Sequence, residues 1–117
     1  MSRGIVHLQP RLRFPDDRDT GFGPGKAELL RLIAATGSIR SAAAKMAMSY
    51  SRAWTLVRES NALFRSPLVA SARGGSARGG AKLTPLGREV LVRYARMERA
   101  CHKATRGDWN ILRRMLA

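Results

Sequence analysis

The chain has 117 residues, enough for one domain of ordinary size, and carries 22 Lys and Arg against 8 Asp and Glu, a net charge of +14. Such an excess draws polyanions and speeds encounters with them, which puts nucleic acid ahead of an anionic membrane surface as the expected partner. No apolar run nears the roughly 18 residues that span a bilayer, no segment has a signal-peptide layout, and the single Cys101 excludes a disulfide framework, so a cytoplasmic protein is expected.

Codon composition can produce the 18 Arg against 4 Lys, but it does not explain the scarcity of acids. Residues 5–14 alternate, with Val6, Leu8, Leu12 and Phe14 on one face and His7, Gln9, Arg11 and Arg13 on the other, which predicts a half-buried strand. Pro10 lacks an N–H and demotes it to an edge strand or two short pieces. Residues 15–25, PDDRDTGFGPG, form a loop by composition. Its Asp16, Asp17 and Asp19 make the one acidic patch, read as hydrated rather than cation-binding. TGFGPGK is not a phosphate loop: Thr20 stands where that motif needs Gly, and Ala27 where it needs a hydroxyl.

Helix 1 is predicted from Pro24 or Lys26, with Leu29, Leu30, Leu32, Ile33 and Thr36 inward and Gly37 at its end. Ser38 then caps helix 2, about 39–47, with Ile39, Ala42, Ala43 and Met46 inward. Its small alanines let a following helix cross closely. Met48 is placed in a buried turn, and Ser49 caps helix 3, about 50–64, with Ala53, Leu56, Val57, Ser60, Leu63 and Phe64 inward. Pro67 stops that helix. LVASAR and AKLT flank GGSARGG as two short strands around a loop. Thr84 before Pro85 is a helix start. Helix 4 is predicted over 85 to about 105, and Leu86, Val90, Tyr94, Met97 and Cys101 make a stripe that is either core or a dimer seam. After Gly107 a further short amphipathic piece is expected, with Trp109, Leu112 and Leu116 inward.

Helix, tight turn, helix and basic hairpin, in that order, are what a winged helix-turn-helix needs to place one helix in a DNA groove. Between residues 38 and 83, Arg40, Lys45, Arg52, Arg58, Arg65, Arg73, Arg78 and Lys82 face the single acid Glu59. Ser51, Arg52, Thr55 and Arg58 project along the outward face of helix 3. Side chains near the N-terminus of a groove-entering helix reach base edges, where Arg pairs with guanine. Arg58, two turns in, suits phosphate. Trp54 reads as packing against helix 1 or the wing, whereas Tyr50 can either pack or reach DNA. The RGGSARGG segment is too short and too closely flanked by strands for a disordered RNA-binding tract. It suits a wing tip whose Arg73 and Arg78 touch a backbone or minor groove.

The two histidines, His7 and His102, lie far apart and Cys101 is the sole thiol, so no nucleophile–base set, metal site or cofactor is expected. Cys101 reads as a small buried hydrophobe.

TGSIRSAAAKMAMSYSRAWTLVRESNALFRSPLV, followed by GGSARGGAKLTPLGREVLVRY, resembles the N-terminal DNA-binding domain of ModE-type molybdate-responsive regulators, itself related to the LysR-type helix-turn-helix. The likeness runs over about residues 5–95. GSI, MSYSRAW, Asn61, the glycine-rich wing and LTPLG carry it most specifically. It implies a mainly α fold with a small β wing, a short N-terminal strand and a long C-terminal dimerisation helix. It also implies a homodimer on a palindromic operator in double-stranded DNA. By position Ser49, Tyr50, Ser51, Arg52 and Thr55 match the base-reading element, with Arg58, Ser38 and Arg40 beside it, and Arg73, Arg78 and Lys82 match the wing contacts.

One domain over 1–117 is expected: strand 5–14, helix-turn-helix and wing 24–83, C-terminal helical region 84–117. Nothing after helix 4 is expected to supply the family's molybdate pocket, so the family's effector sensing does not carry over, and a separate effector-sensing protein is a candidate partner. The expected function is sequence-specific transcription regulation by binding, not catalysis. A nucleoid-type protein without sequence preference and an adaptor for a separate sensor are the rival readings.

Overall fold

The computed structural model describes residues 8–15, 21–72 and 80–117. The chain folds as α1 (Pro24–Thr36), α2 (Ile39–Lys45), α3 (Tyr50–Leu63), β1 (Val69–Ala72), β2 (Gly80–Leu83) and α4 (Pro85–Arg113). This is a winged helix-turn-helix: three short helices, an antiparallel two-stranded wing and a long final helix.

Local chemistry sets most boundaries. Pro24 opens α1, where its missing N–H costs nothing, and Gly37 closes it at φ +74, donating its N–H to Ile33 O at 2.7 Å. Ser38, Ser49 and Thr84 cap α2, α3 and α4, their hydroxyls accepting from Ser41, Arg52 and Gly87 N–H at 3.0 Å each. Each cap is worth about 1 kcal/mol. Between α2 and α3, Ala47 N–H reaches Ala44 O and Met48 N–H reaches Ala43 O, a Schellman turn. Its left-handed position holds Ala47 at φ +55, where glycine would be unstrained.

The core joins Leu29, Leu30 and Ile33 of α1, Ala42 and Ala43 of α2, Ala53 and Val57 of α3, and Leu68, Val69, Ala81 and Leu83 of the wing. At its centre lies Phe22, 1% exposed, edge-on to Phe64 (5.6 Å) and Tyr94 (5.5 Å). β1 and β2 pair in the register Val69 to Leu83, Ala70 to Lys82, Ser71 to Ala81 and Ala72 to Gly80. A bridge from Ser38 to Gly80, with Ala81 N–H donating to Gly37 O at 2.9 Å, ties the wing to the α1–α2 turn.

One stretch, Pro67–Leu68, receives three elements. Asn61 of α3 accepts from Leu68 N–H at 2.8 Å. Thr84 donates its N–H to Leu68 O at 2.9 Å and its hydroxyl to Pro67 O at 2.8 Å. Gly87 brings α4 so close that a Cβ there would lie 2.2 Å from Leu68 O.

Three expectations need correction. Residues 5–7 of the predicted strand lie outside the described residues, and from residue 8 on the segment makes one bridge, Leu12 to Phe22. Leu8 and Leu12 are exposed rather than inward. The segment is anchored instead by Tyr94, whose hydroxyl donates to Pro10 O at 2.6 Å. Met48 is half-buried. Finally, Gly107 does not break α4, which runs unbroken for 29 residues, about 43 Å at 1.5 Å per residue. One interior glycine costs a helix only about 1 kcal/mol. The helix outruns the core, so Leu112 and Leu116 stay exposed and Trp109 is half-buried.

Candidate nucleic-acid interface

Each side of α3 meets a different environment. Ala53, Leu56, Val57 and Ser60 face the core, and the Ser60 hydroxyl is satisfied by Leu56 O at 2.8 Å. Buried Ala42 and Ala43 of α2 and Ala53 of α3 keep bulk out of the helix crossing. Away from the core runs a polar ridge of Ser51, Thr55 and Arg58, residues three or four apart. Thr55 donates to Ser51 O at 3.2 Å, and Arg58 Nη2 donates to Thr55 Oγ1 at 3.4 Å.

The wing-side flank is aromatic. The Tyr50 ring meets Trp54 edge-on at 6.3 Å, and the Arg40 guanidinium lies 4.4 Å from the Tyr50 ring centroid. This cation–π contact links the start of α2 to the head of α3. Trp54 is half-buried against the core, and with Tyr50, Val57 and Asn61 it lines a gap of about 270 Å³ between α3 and the wing. The opposite flank carries Arg52, exposed, beside the loop that enters α1.

The wing is fixed at its root. Asn61 accepts from Leu68 and Val69 N–H and donates to Val69 O at 3.3 Å, standing in for a neighbouring strand. Lys82 is exposed on β2. Arg73 and Arg78 lie outside the described residues.

Ion pairing leaves this face basic. All four glutamates have partners: Glu28 with Arg31 (2.9 Å), Glu98 with Arg31 (3.0 Å), Glu89 with Arg93 (2.6 Å), and Glu59 with Lys26 (3.1 Å). Glu59 is the acid of α3, and buried Lys26, which also donates to Gly21 O at 2.7 Å, cancels it. Among the described residues no carboxylate pairs with Arg40, Arg52, Arg58 or Lys82.

Along the α4 stripe, Leu86 and Val90 pack against the core and Tyr94 is buried within it, whereas Met97 is 42% exposed and Cys101 is half-buried. Burial, then the nearby charge of Glu98, raises the pKa of the Tyr94 hydroxyl.

Sequence reasoning gave no packing role to Phe22 or Gly87 and no ion-pairing role to Lys26. Gly87 had a visible signal, because glycine is a poor residue for a first helical turn unless a neighbour must come close. Phe22 had none, since its aromatic partners Phe64 and Tyr94 are distant in the chain.

Among the described residues no group of three or more His, Cys, Asp or Glu side chains could hold a metal ion. Nor is any helix among them long and apolar enough to cross a membrane.

No protein-family model matches the chain. Over 77 residues it is 42% identical to the molybdenum-pterin-binding protein MopB of Rhodobacter capsulatus, covering 66% of this chain and 28% of MopB. It is 34% identical over 88 residues to the molybdenum transport protein ModE of Azotobacter vinelandii, covering 75% of this chain and 33% of that protein. To the DNA-binding transcriptional dual regulator ModE of Escherichia coli (strain K12) it is 37% identical over 81 residues, 69% of this chain and 31% of the regulator. The match thus spans a third or less of these curated relatives. The chain is therefore related to the ModE and Mop proteins, and its winged helix-turn-helix is that of a ModE-type N-terminal domain.

Proposed function

We propose that the chain is a sequence-specific double-stranded DNA-binding regulator of transcription, acting in the cytoplasm by binding rather than catalysis. The observation that carries this reading is the α3 ridge of Ser51, Thr55 and Arg58. It stands clear of the core between an anchored wing and a basic flank, with the helix's one acid cancelled by Lys26. A relative described as a DNA-binding transcriptional dual regulator supports it.

The ridge enters the major groove. Ser51, Arg52 and Thr55 read base edges, Arg40, Arg58, Lys82 and the wing arginines hold phosphates, and Ser49 and Ser38 orient their helices. The helix-turn-helix, the wing and α4 act together as one DNA-binding domain. Two copies pair through α4, whose Met97, Ile111 and Leu112 expose apolar surface, with exposed Met115 just beyond its end. Their recognition helices then meet half-sites of a palindrome about 34 Å apart.

In vitro selection from random duplexes, with and without molybdate, tests this reading. A two-fold symmetric enriched sequence supports it. Retention of DNA without enrichment makes the chain a nucleoid-type protein. If no duplex is retained, DNA is not the partner, and the adaptor role becomes the better reading.

A further inference from the structure

A cleft of about 460 Å³ opens on the flank of α3 opposite the wing. Arg11, Gly21, Gly23, Lys26, Arg52 and Glu59 are among its lining residues. Arg11 is exposed yet seated. Its side chain lies over Gly23, where a Cβ would sit 3.3 Å from its Cγ and 3.4 Å from its Cζ. The segment carrying it is fixed on both sides, by the Leu12–Phe22 bridge after it and by Tyr94 holding Pro10 O before it. Among the described residues no carboxylate pairs with Arg11 or Arg52. The one acid in the cleft, Glu59, is already bound to Lys26 at 3.1 Å. Among the described residues no carboxylate in the cleft is left to pair with Arg11, so its guanidinium is open to an anionic oxygen group from outside.

A helix lying in a major groove about 12 Å wide has a phosphate strand along each edge. The wing covers one edge. On the other, among the described residues, Arg11 lines the cleft with Arg52 and the occupied Lys26. We infer that Arg11, docked on Gly23 beside Arg52, grips a backbone phosphate of the strand opposite the wing, so that α3 is clamped from both sides. The inference rests on the DNA-binding reading and adds a residue from outside the helix-turn-helix to it.

Salt titrations of binding to a mixed-sequence duplex, with thermal unfolding run alongside, test it. Arg11→Gln should fold as the wild type does, bind about three- to tenfold more weakly, and lower the slope of log K against log salt by about 0.9. Arg11→Lys should recover most of the slope, because a phosphate contact needs the charge first. In the wild-type protein, bound duplex should shield Arg11 from modification by phenylglyoxal, a readout that needs no variant. Wild-type slope and affinity in a folded Arg11→Gln protein, or modification of Arg11 unchanged by DNA, would overturn the clamp while leaving DNA binding intact. Failure of the wild-type protein to bind any duplex would instead remove the reading beneath it.

Discussion

Asn61 pairs with Val69 as one strand pairs with the next: its Oδ1 accepts the Val69 N–H at 3.0 Å, and its Nδ2 donates to the Val69 carbonyl at 3.3 Å. The same oxygen takes the N–H of Leu68, which is fully buried. A side chain near the end of α3 thus supplies the edge on which the wing begins. Asn61→Ala would leave two backbone donors unpaired and should cost about 2–3 kcal/mol in urea unfolding. Asn61→Asp keeps the accepting oxygen and should cost less. Equal losses in the two variants would show that the acceptor is not what matters.

Gly87 and Gly107 lie in the same helix and should respond oppositely to alanine. At Gly87 the added Cβ would meet the Leu68 carbonyl at 2.2 Å, so α4 must back away from the wing. Gly87→Ala should destabilise by more than about 2 kcal/mol. Nothing lies within 4 Å of a Cβ at Gly107, and there alanine should stabilise by roughly 0.5–1 kcal/mol. Thermal midpoints of the two variants should move in opposite directions.

Burial and the charge of Glu98 raise the Tyr94 hydroxyl above the ordinary tyrosine value of 10.0. The folded chain therefore keeps this proton at a pH where the unfolded chain releases it. The stability this contributes is complete below pH 10 and is lost as pH climbs through the raised folded value. Tyr94→Phe should flatten that alkaline decline while costing about 1 kcal/mol at neutral pH, because the Pro10 carbonyl loses its donor. Chemical unfolding followed from neutral to strongly alkaline pH would reveal both effects.

Arg52 and Lys82 should separate specificity from affinity. Arg52→Ala is expected to lose roughly 1–3 kcal/mol on the selected sequence and less on unrelated duplexes. Lys82→Ala should weaken all duplexes alike and lower the salt slope. Identical losses on every duplex for Arg52→Ala would assign Arg52 to phosphate.

Much of this fold was legible because caps and helix stops are local. Gly37, through its backbone, and Ser38, Ser49 and Thr84, through their hydroxyls, act on residues three or four positions away, as their residue types suggest. The N-terminal segment was misread for the opposite reason. Its alternation placed Leu8 and Leu12 inward, but what holds it is a hydroxyl 84 residues away. At the interface, helical periodicity found the outward residues of α3. It did not show that Arg52 turns to one flank, beside a cleft built from two distant loops, while Ser51, Thr55 and Arg58 form the ridge. The end of α4 is not legible because Gly107 reads as a stop, yet it sits on an exposed stretch of helix that tolerates it.

The convergence of α3, the wing and α4 on Pro67–Leu68 leaves no soft joint between α3 and the long C-terminal helix. Under the proposed pairing, the two recognition helices resemble the jaws of a locked caliper, their gap set once at the α4 seam. A binding site lengthened or shortened by a few base pairs between its halves would then have to be met by bending the DNA, because the protein has no hinge there to yield.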